Sequence, residues 1–471
     1  PLYSSAASDV YKRQGQGSMP NPGGPQPIRP STPETQYTPR IQKGSLSIID
    51  VPDAAQLKIL THRTLANSPY RDELLEAAEG PGTIIPTRPG GPTSIRHVIY
   101  IIKENRTYDQ VLGDMKEGNG DPSLVLFGEK ITPNHHRLAR EFVLLDNFYV
   151  DADVSADGHN WSMGALASDY VQKVWPTHYA GRKAQYDFEG INPTAFSPGG
   201  YLWDSARKAG VSFRVYGEWT ENPPDPSQPV RTRVKELEGF IDPHYRNFDL
   251  NYSDQKRADE WLREFREFEK NGNLPQFQIV RLPNDHTAGT RAGTWTPRAM
   301  VADNDLALGR IVEAITRSRY WKATAVFVLE DDAQNGPDHV DSHRSVALVV
   351  SPYVRRGSVD STMYSTVSML RTMELILGLP PLTQYDAGAT PMHRAFTDRP
   401  DLRPYTAVKP EVDLDERNAP GAPGSLESAR MDFSDVDRID DDEMNRILWR
   451  AVKGNVPMPA PVRSAFPSLA R

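Results

Sequence analysis

The chain has 471 residues, no cysteine, and a formal net charge of −8, with 25% charged and 38% hydrophobic residues. That length holds two or three average domains, or one large α/β domain with tails. The charge argues against nucleic acid as a partner, because phosphate-backbone binding needs a concentrated basic surface. No apolar run approaches the roughly 20 residues of a membrane-spanning helix, and without thiolates any metal has to be held by oxygen and nitrogen donors.

Residues 1–14 are out of keeping with the rest, look like a translated adapter scar, and are expected to be foreign to the natural protein. Residues 15–40 are rich in Pro, Gly, Ser and Gln and read as linker. Residues 44–52 alternate like a strand between turn residues. This segment resembles the closing strand of a β-propeller blade, so 15–94 is read as linker plus the remnant of an upstream propeller; an isolated edge strand explains it equally well. Residues 53–79 look helical, and a Pro/Gly-rich connection fills 80–92.

From residue 95 the pattern becomes regular. Apolar strand candidates fall at 97–102, 142–149, 211–216, 277–282, 323–329 and 346–350, with helical candidates at 160–170, 257–270, 297–318 and 365–377. Strands alternating with helices of this length predict an α/β fold with a mainly parallel sheet covered on both faces. After about residue 395 the chain turns polar and proline-rich, which marks 397–471 as an extension. Within it, the acids at 440–443 lead into Met444-Asn445-Arg446-Ile447-Leu448-Trp449, as at the start of a capped amphipathic helix.

The chemistry-bearing residues gather where strands stop. After 323–329 come Glu330, Asp331 and Asp332, then Asp338, His339, Asp341 and His343. Hard oxygen donors with imidazole suit a divalent cation, and in open α/β sheets ligands bind at the carboxyl ends of strands. Asp331 and Asp332 come first after the strand and are the strongest ligand candidates. His339 and His343 are four apart, compatible with one face of a helical turn, although Pro337 suits a loop as well.

Glu104 and Asn105 follow 97–102 as further oxygen donors, with Thr107 a cap for the next helix or a rival nucleophile. After 142–149 comes Ser155-Ala156-Asp157-Gly158-His159. A serine there exposes its hydroxyl beside helix-terminal N–H groups, and a nearby cation would lower that hydroxyl's pKa. The competing reading makes Ser155 a turn residue and Asp157 or Asn160 the cap. Asp285 and His286 follow 277–282 and suit a metal or a phosphate.

Taken together, Glu104-Asn105-Arg106-Thr107-Tyr108-Asp109, the Ser155 to His159 turn, Leu282-Pro283-Asn284-Asp285-His286 and Asp331-Asp332 through His343-Arg344 resemble the phosphoesterase family that includes bacterial phospholipases C and acid phosphatases, a branch of the alkaline phosphatase superfamily. The resemblance covers roughly 95–396. It implies a three-layer α/β/α sandwich and a metal-dependent hydrolase of phosphoric esters, acting on a phosphorylated small molecule or a phospholipid headgroup. By the same resemblance Glu104, Asn105, Asp331 and Asp332 hold one metal, and Ser155 attacks phosphorus to form a phosphoseryl intermediate. A second metal or the phosphate would be held by Asp285, His286, His339, His343 and His159.

Either His286 or His343 is the expected general acid. The ion is expected to be calcium or zinc, one ion or two, and the oxygen-rich set shifts the expectation toward the harder calcium. An arylsulfatase is disfavoured, since the Ser155 turn lacks that branch's Pro and Arg. Periplasmic or secreted location follows by analogy. The reading from another class is a metal-stabilised binding module with a vestigial site.

Overall fold

The computed structural model describes residues 50–459, apart from 69, 79, 81, 82, 180–185, 226, 335, 435 and 437. The strand expected at 44–52 lies largely outside the described residues, and 50–52 are not in a strand. The strands are β1 (His97–Lys103), β2 (Val143–Leu145), β3 (Phe148–Tyr149), β4 (Phe213–Tyr216), β5 (Phe277–Arg281), β6 (Thr324–Glu330), β7 (Ala347–Val350), β8 (Ser358–Asp360) and β9 (Tyr364–Ser365). Seven of them form one sheet in the order β4-β5-β1-β6-β7-β2-β8, while β3 and β9 pair separately. β7 is antiparallel to both of its neighbours, and every other pairing in the large sheet is parallel.

The central pair explains itself from sequence. β1 is buried from Val98 to Lys103, and β6 is buried throughout. Such unbroken apolar runs belong to a sheet covered on both faces, and burying each Ile or Val contributes about 2 kcal/mol. The helices are α1 (Ala54–Asn67), α2 (Tyr108–Leu112), α3 (Pro133–Glu141), α4 (Ser155–Gly164), α5 (Asp169–Tyr179), α6 (Leu202–Ala209), α7 (Asp254–Asn271), α8 (Pro297–Arg317), α9 (Thr366–Leu377) and α10 (Asp441–Lys453), with shorter turns between them. α7, α8 and α3 pack as one group, and α9 packs on α4 and β1. The α/β/α architecture is as expected.

Three local expectations need correction. The predicted strand 142–149 is two strands, because the chain leaves the main sheet after Leu145 and Tyr149 joins the small sheet with β9. Helix α4 begins at Ser155, not at residue 160. α5 then runs through Pro176. The helix expected over 53–79 ends at Asn67, followed by one short turn at Glu73–Glu76. At the other end, α10 starts where the acids predicted it, with Asp440 Oδ1 accepting from the Glu443 N–H at 3.0 Å.

Candidate active site

Strand register brings the first donors together. Lys103 on β1 pairs with Glu330 on β6, so the next residues, Glu104-Asn105 and Asp331-Asp332, leave the sheet side by side. The Asp331 N–H donates to Lys103 O at 3.0 Å and seals this junction. Beneath it, the ammonium of Lys103 bridges Asp285 Oδ2 at 2.6 Å and Glu330 Oε1 at 2.8 Å. Because β7 runs against its neighbours, the loop 331–346 that feeds it stays at the same rim.

Helix α4 delivers Ser155 to this rim. Val154, its N-cap residue, has no side-chain oxygen, so the Asp157 carboxylate caps the helix instead by accepting from the Val154 N–H at 3.0 Å. Gly158 allows the close approach: a Cβ there would lie 2.8 Å from Asp331 O. The Ser155 hydroxyl donates to Asp332 Oδ2 at 2.9 Å and lies 3.3 Å from Asn105 Oδ1. One terminal atom of the Asn105 amide sits 3.1 Å from Asp331 Oδ1 and 3.3 Å from Asp332 Oδ2. With nitrogen in that place the amide donates to both carboxylates. With oxygen there, three oxygens crowd together at spacings normal around a shared cation, and the amide nitrogen turns to Gln334 Oε1. Asn105 adopts φ +65° to reach this position.

A second group adjoins the first through Asp331. His159 Nε2 lies 3.4 Å from Asp331 Oδ2 and 3.5 Å from Glu104 Oε1, close enough for Glu104, His159 and Asp331 to hold a metal ion. His159 Nδ1 is bonded to Glu218 Oε1 at 2.8 Å, the carboxylate backing that orients metal-binding histidines. Arg281 closes the cluster, donating to Glu104 Oε1 at 2.7 Å and to Glu189 Oε2 at 3.1 Å. Burial favours a neutral Glu104, yet Arg281 and then His159 overcome it and hold the carboxyl down at about 2. For His159, burial and Arg281 oppose the charge, but Glu218, Glu189 and Asp331 win and raise the ring well above its usual value. The donor set and its spacing therefore fit a divalent cation.

The other expected residues take different places. The Asp285 carboxylate is engaged by Lys103, the Glu104 N–H and Asn304 Nδ2. His286 Nδ1 bonds to Thr287 O at 2.9 Å, and its ring packs edge-on against Phe248. His339 is held by Asp109 at 2.6 Å and Asn119 at 3.2 Å, in a network with Arg344 and Asp338. His343 lies between Asp341 and Asp153, 2.9 Å from each. Residues 331–346 contain no helical turn among the described residues, so these histidines share no helix face. Thr107 caps α2, accepting from the Gln110 N–H at 3.4 Å.

Reading the sequence missed Arg281, Glu189 and Glu218. A charge ending the apolar strand Phe277–Arg281 was a visible signal, since arginine is rarely buried unpaired. Glu218 follows strand β4 by two residues and carried the same strand-end signal, whereas Glu189 lies in a loop and left none.

The sequence profile described as the phosphoesterase family matches residues 118–380. No curated protein matches the chain. Among solved structures, a protein in the alkaline phosphatase superfamily from Vibrio parahaemolyticus is similar at 19% identity and TM-score 0.44, over 68% of this chain and 76% of that one. A phosphonate monoester hydrolase of Agrobacterium radiobacter is similar at 15% identity and TM-score 0.39, over 61% of this chain and 74% of that one.

Proposed function

Since the chain belongs to the phosphoesterase family, an ester-hydrolase family, we propose that it hydrolyses phosphoric esters of small molecules with Ser155 as nucleophile. The observation that carries this reading is the contact of the buried Ser155 hydroxyl with Asp332 and Asn105, beside Asp331. Asn105, Asp331, Asp332 and Ser155 would hold one divalent cation, and Glu104, His159 and Asp331 would hold a second. A cation bound there supplies a Lewis acid that lowers the pKa of the serine hydroxyl and neutralises charge on phosphoryl oxygens.

Asp332 Oδ2 stands where the Ser155 proton leaves, so the serine oxygen forms its bond to phosphorus as the ester oxygen departs in line. Water then attacks the phosphoserine, releasing phosphate and restoring the hydroxyl. His286 is assigned as the general acid: Thr287 O accepts from its Nδ1–H and fixes the ring, and a further proton carried on the other ring nitrogen would pass to the departing ester oxygen. His343, with carboxylates at both nitrogens, is held too tightly for that task.

The test compares wild type and Ser155→Ala on p-nitrophenyl phosphate and bis-p-nitrophenyl phosphate, with and without chelator, alongside metal analysis. The expected result is chelator-sensitive hydrolysis that drops by about 10³-fold or more in the variant while bound metal is retained. Wild type inert toward both esters, or a fully active variant, overturns the reading. The diester arm also decides whether phosphodiesters, the ester class of phospholipid headgroups, fall within the chemistry of the site.

A further inference from the structure

Every residue of the nucleophile centre is buried, Ser155, Glu104, Asp331 and Asp332 at 0% exposure. A narrow cleft brings Asn105, Arg106, His286 and Gln334 of the site's rim against Ile439 and against Met444, Asn445 and Leu448 of α10. Its free volume is about 10 Å³. That is room for about one water molecule, and a phosphoryl group with its leaving group is several times larger.

α10 is tied to the centre by a polar chain and to the body by apolar packing. Asn445 Nδ2 donates to Gln334 O at 3.2 Å, and the Gln334 side chain meets Asn105. Gln334 adopts φ +35°, a conformation rare for a non-glycine residue, to make both contacts. Met444, Leu448 and Trp449 are buried in a satellite cluster with Leu124, Leu126, Phe127 and Val301, separate from the main core. The helix therefore rests on a small apolar seat, and it lies outside the family-matched region 118–380.

Building on the hydrolase reading above, we propose that α10 is a lid over the active site, which substrate entry displaces and whose Met444 to Leu448 face sets the size of leaving group accepted. Asn445 is the tether and Leu448 the seat; neither takes part in the chemistry.

The test uses the full chain with Asn445→Ala and Leu448→Ala, the former keeping the apolar seat intact should the latter fold poorly. Amide exchange is followed at 104–106 and 331–334, with 97–102 and 324–329 as internal controls. The expected result is exchange faster by about tenfold or more at the rim segments alone. In parallel, the kcat/KM ratio for naphthyl phosphate over phenyl phosphate is expected to rise about fivefold or more in the variants. Unchanged rim exchange overturns the lid, whatever the activity, and an unchanged substrate ratio overturns the size selection. Accelerated exchange in a protein that hydrolyses nothing instead sinks the hydrolase reading and leaves the lid standing.

Discussion

At the scale of single residues, the site is governed by charge taken out of water. Arg281 is fully buried between Glu104 and Glu189, and replacing it by methionine strands those carboxylates without their cation. Breaking a buried pair from one side costs about 3–5 kcal/mol, so Arg281→Met is expected to lose that much in urea unfolding; a loss within 1 kcal/mol shows that other groups neutralise Glu104. His343 gives a pH signature. Burial lowers its affinity for a proton, but Asp153 and then Asp341 more than reverse this and carry the ring up to about 10. A folded pKa above the unfolded value of about 6.5 stabilises the protein fully below that value, and the effect fades as pH climbs toward 10. The Tm gap between wild type and His343→Gln is therefore expected to be widest near pH 6 and to close toward pH 10. A gap independent of pH means that the ring is held neutral.

Among secondary-structure elements, the decisive contact is α4 against the end of β6. Gly158 sits where any side chain would strike Asp331, at 2.8 Å from its carbonyl oxygen and 3.0 Å from its carbonyl carbon. Gly158→Ala should pull the helix start and Ser155 away from Asp332. A misplacement of this size costs about 10²-fold in kcat while global stability falls by only about 1–3 kcal/mol, as for other overpacked sites. Kinetics and thermal melts on one preparation separate the two effects, and equal activity shows that α4 tolerates the shift. The elements themselves were largely legible. Apolar runs such as 323–329 announced buried strands, and the acids at 440–443 announced α10, because both signals are local. The run 142–149 misled because two short strands in different sheets share one apolar pattern, and periodicity reports burial without naming the partner strand.

For the whole molecule, an ion held by the clustered carboxylates as proposed would couple its binding to folding. An ion that binds only the folded chain adds about 2.7 kcal/mol when present at a hundredfold its Kd. Chelation is accordingly expected to lower Tm by on the order of a few degrees, reversibly. Readdition of calcium or zinc then identifies the preferred ion by the larger recovery, and a Tm indifferent to chelator and to both ions removes the metal from the account. The extension beyond residue 396 joins the same body: Tyr405 is buried in the main core with its hydroxyl bonded to Asn134 Oδ1 at 2.6 Å, and α10 seats itself near the active-site rim.

By itself the amino-acid sequence determined where chemistry could occur, since strands buried on both faces must be apolar and any charge at their ends has to meet solvent, a partner or an ion. It thereby offered Glu104, Asn105, Ser155, Asp331 and Asp332 as candidates, alongside His159, Asp285, His286, His339 and His343. Only the tertiary structure decided which of these meet. The pairing of Lys103 with Glu330, the reversed direction of β7, the arrival of Arg281, Glu189 and Glu218 around His159, and the seating of α10 each join segments far apart in the chain. Such convergence depends on strand order and packing, which local residue patterns do not encode.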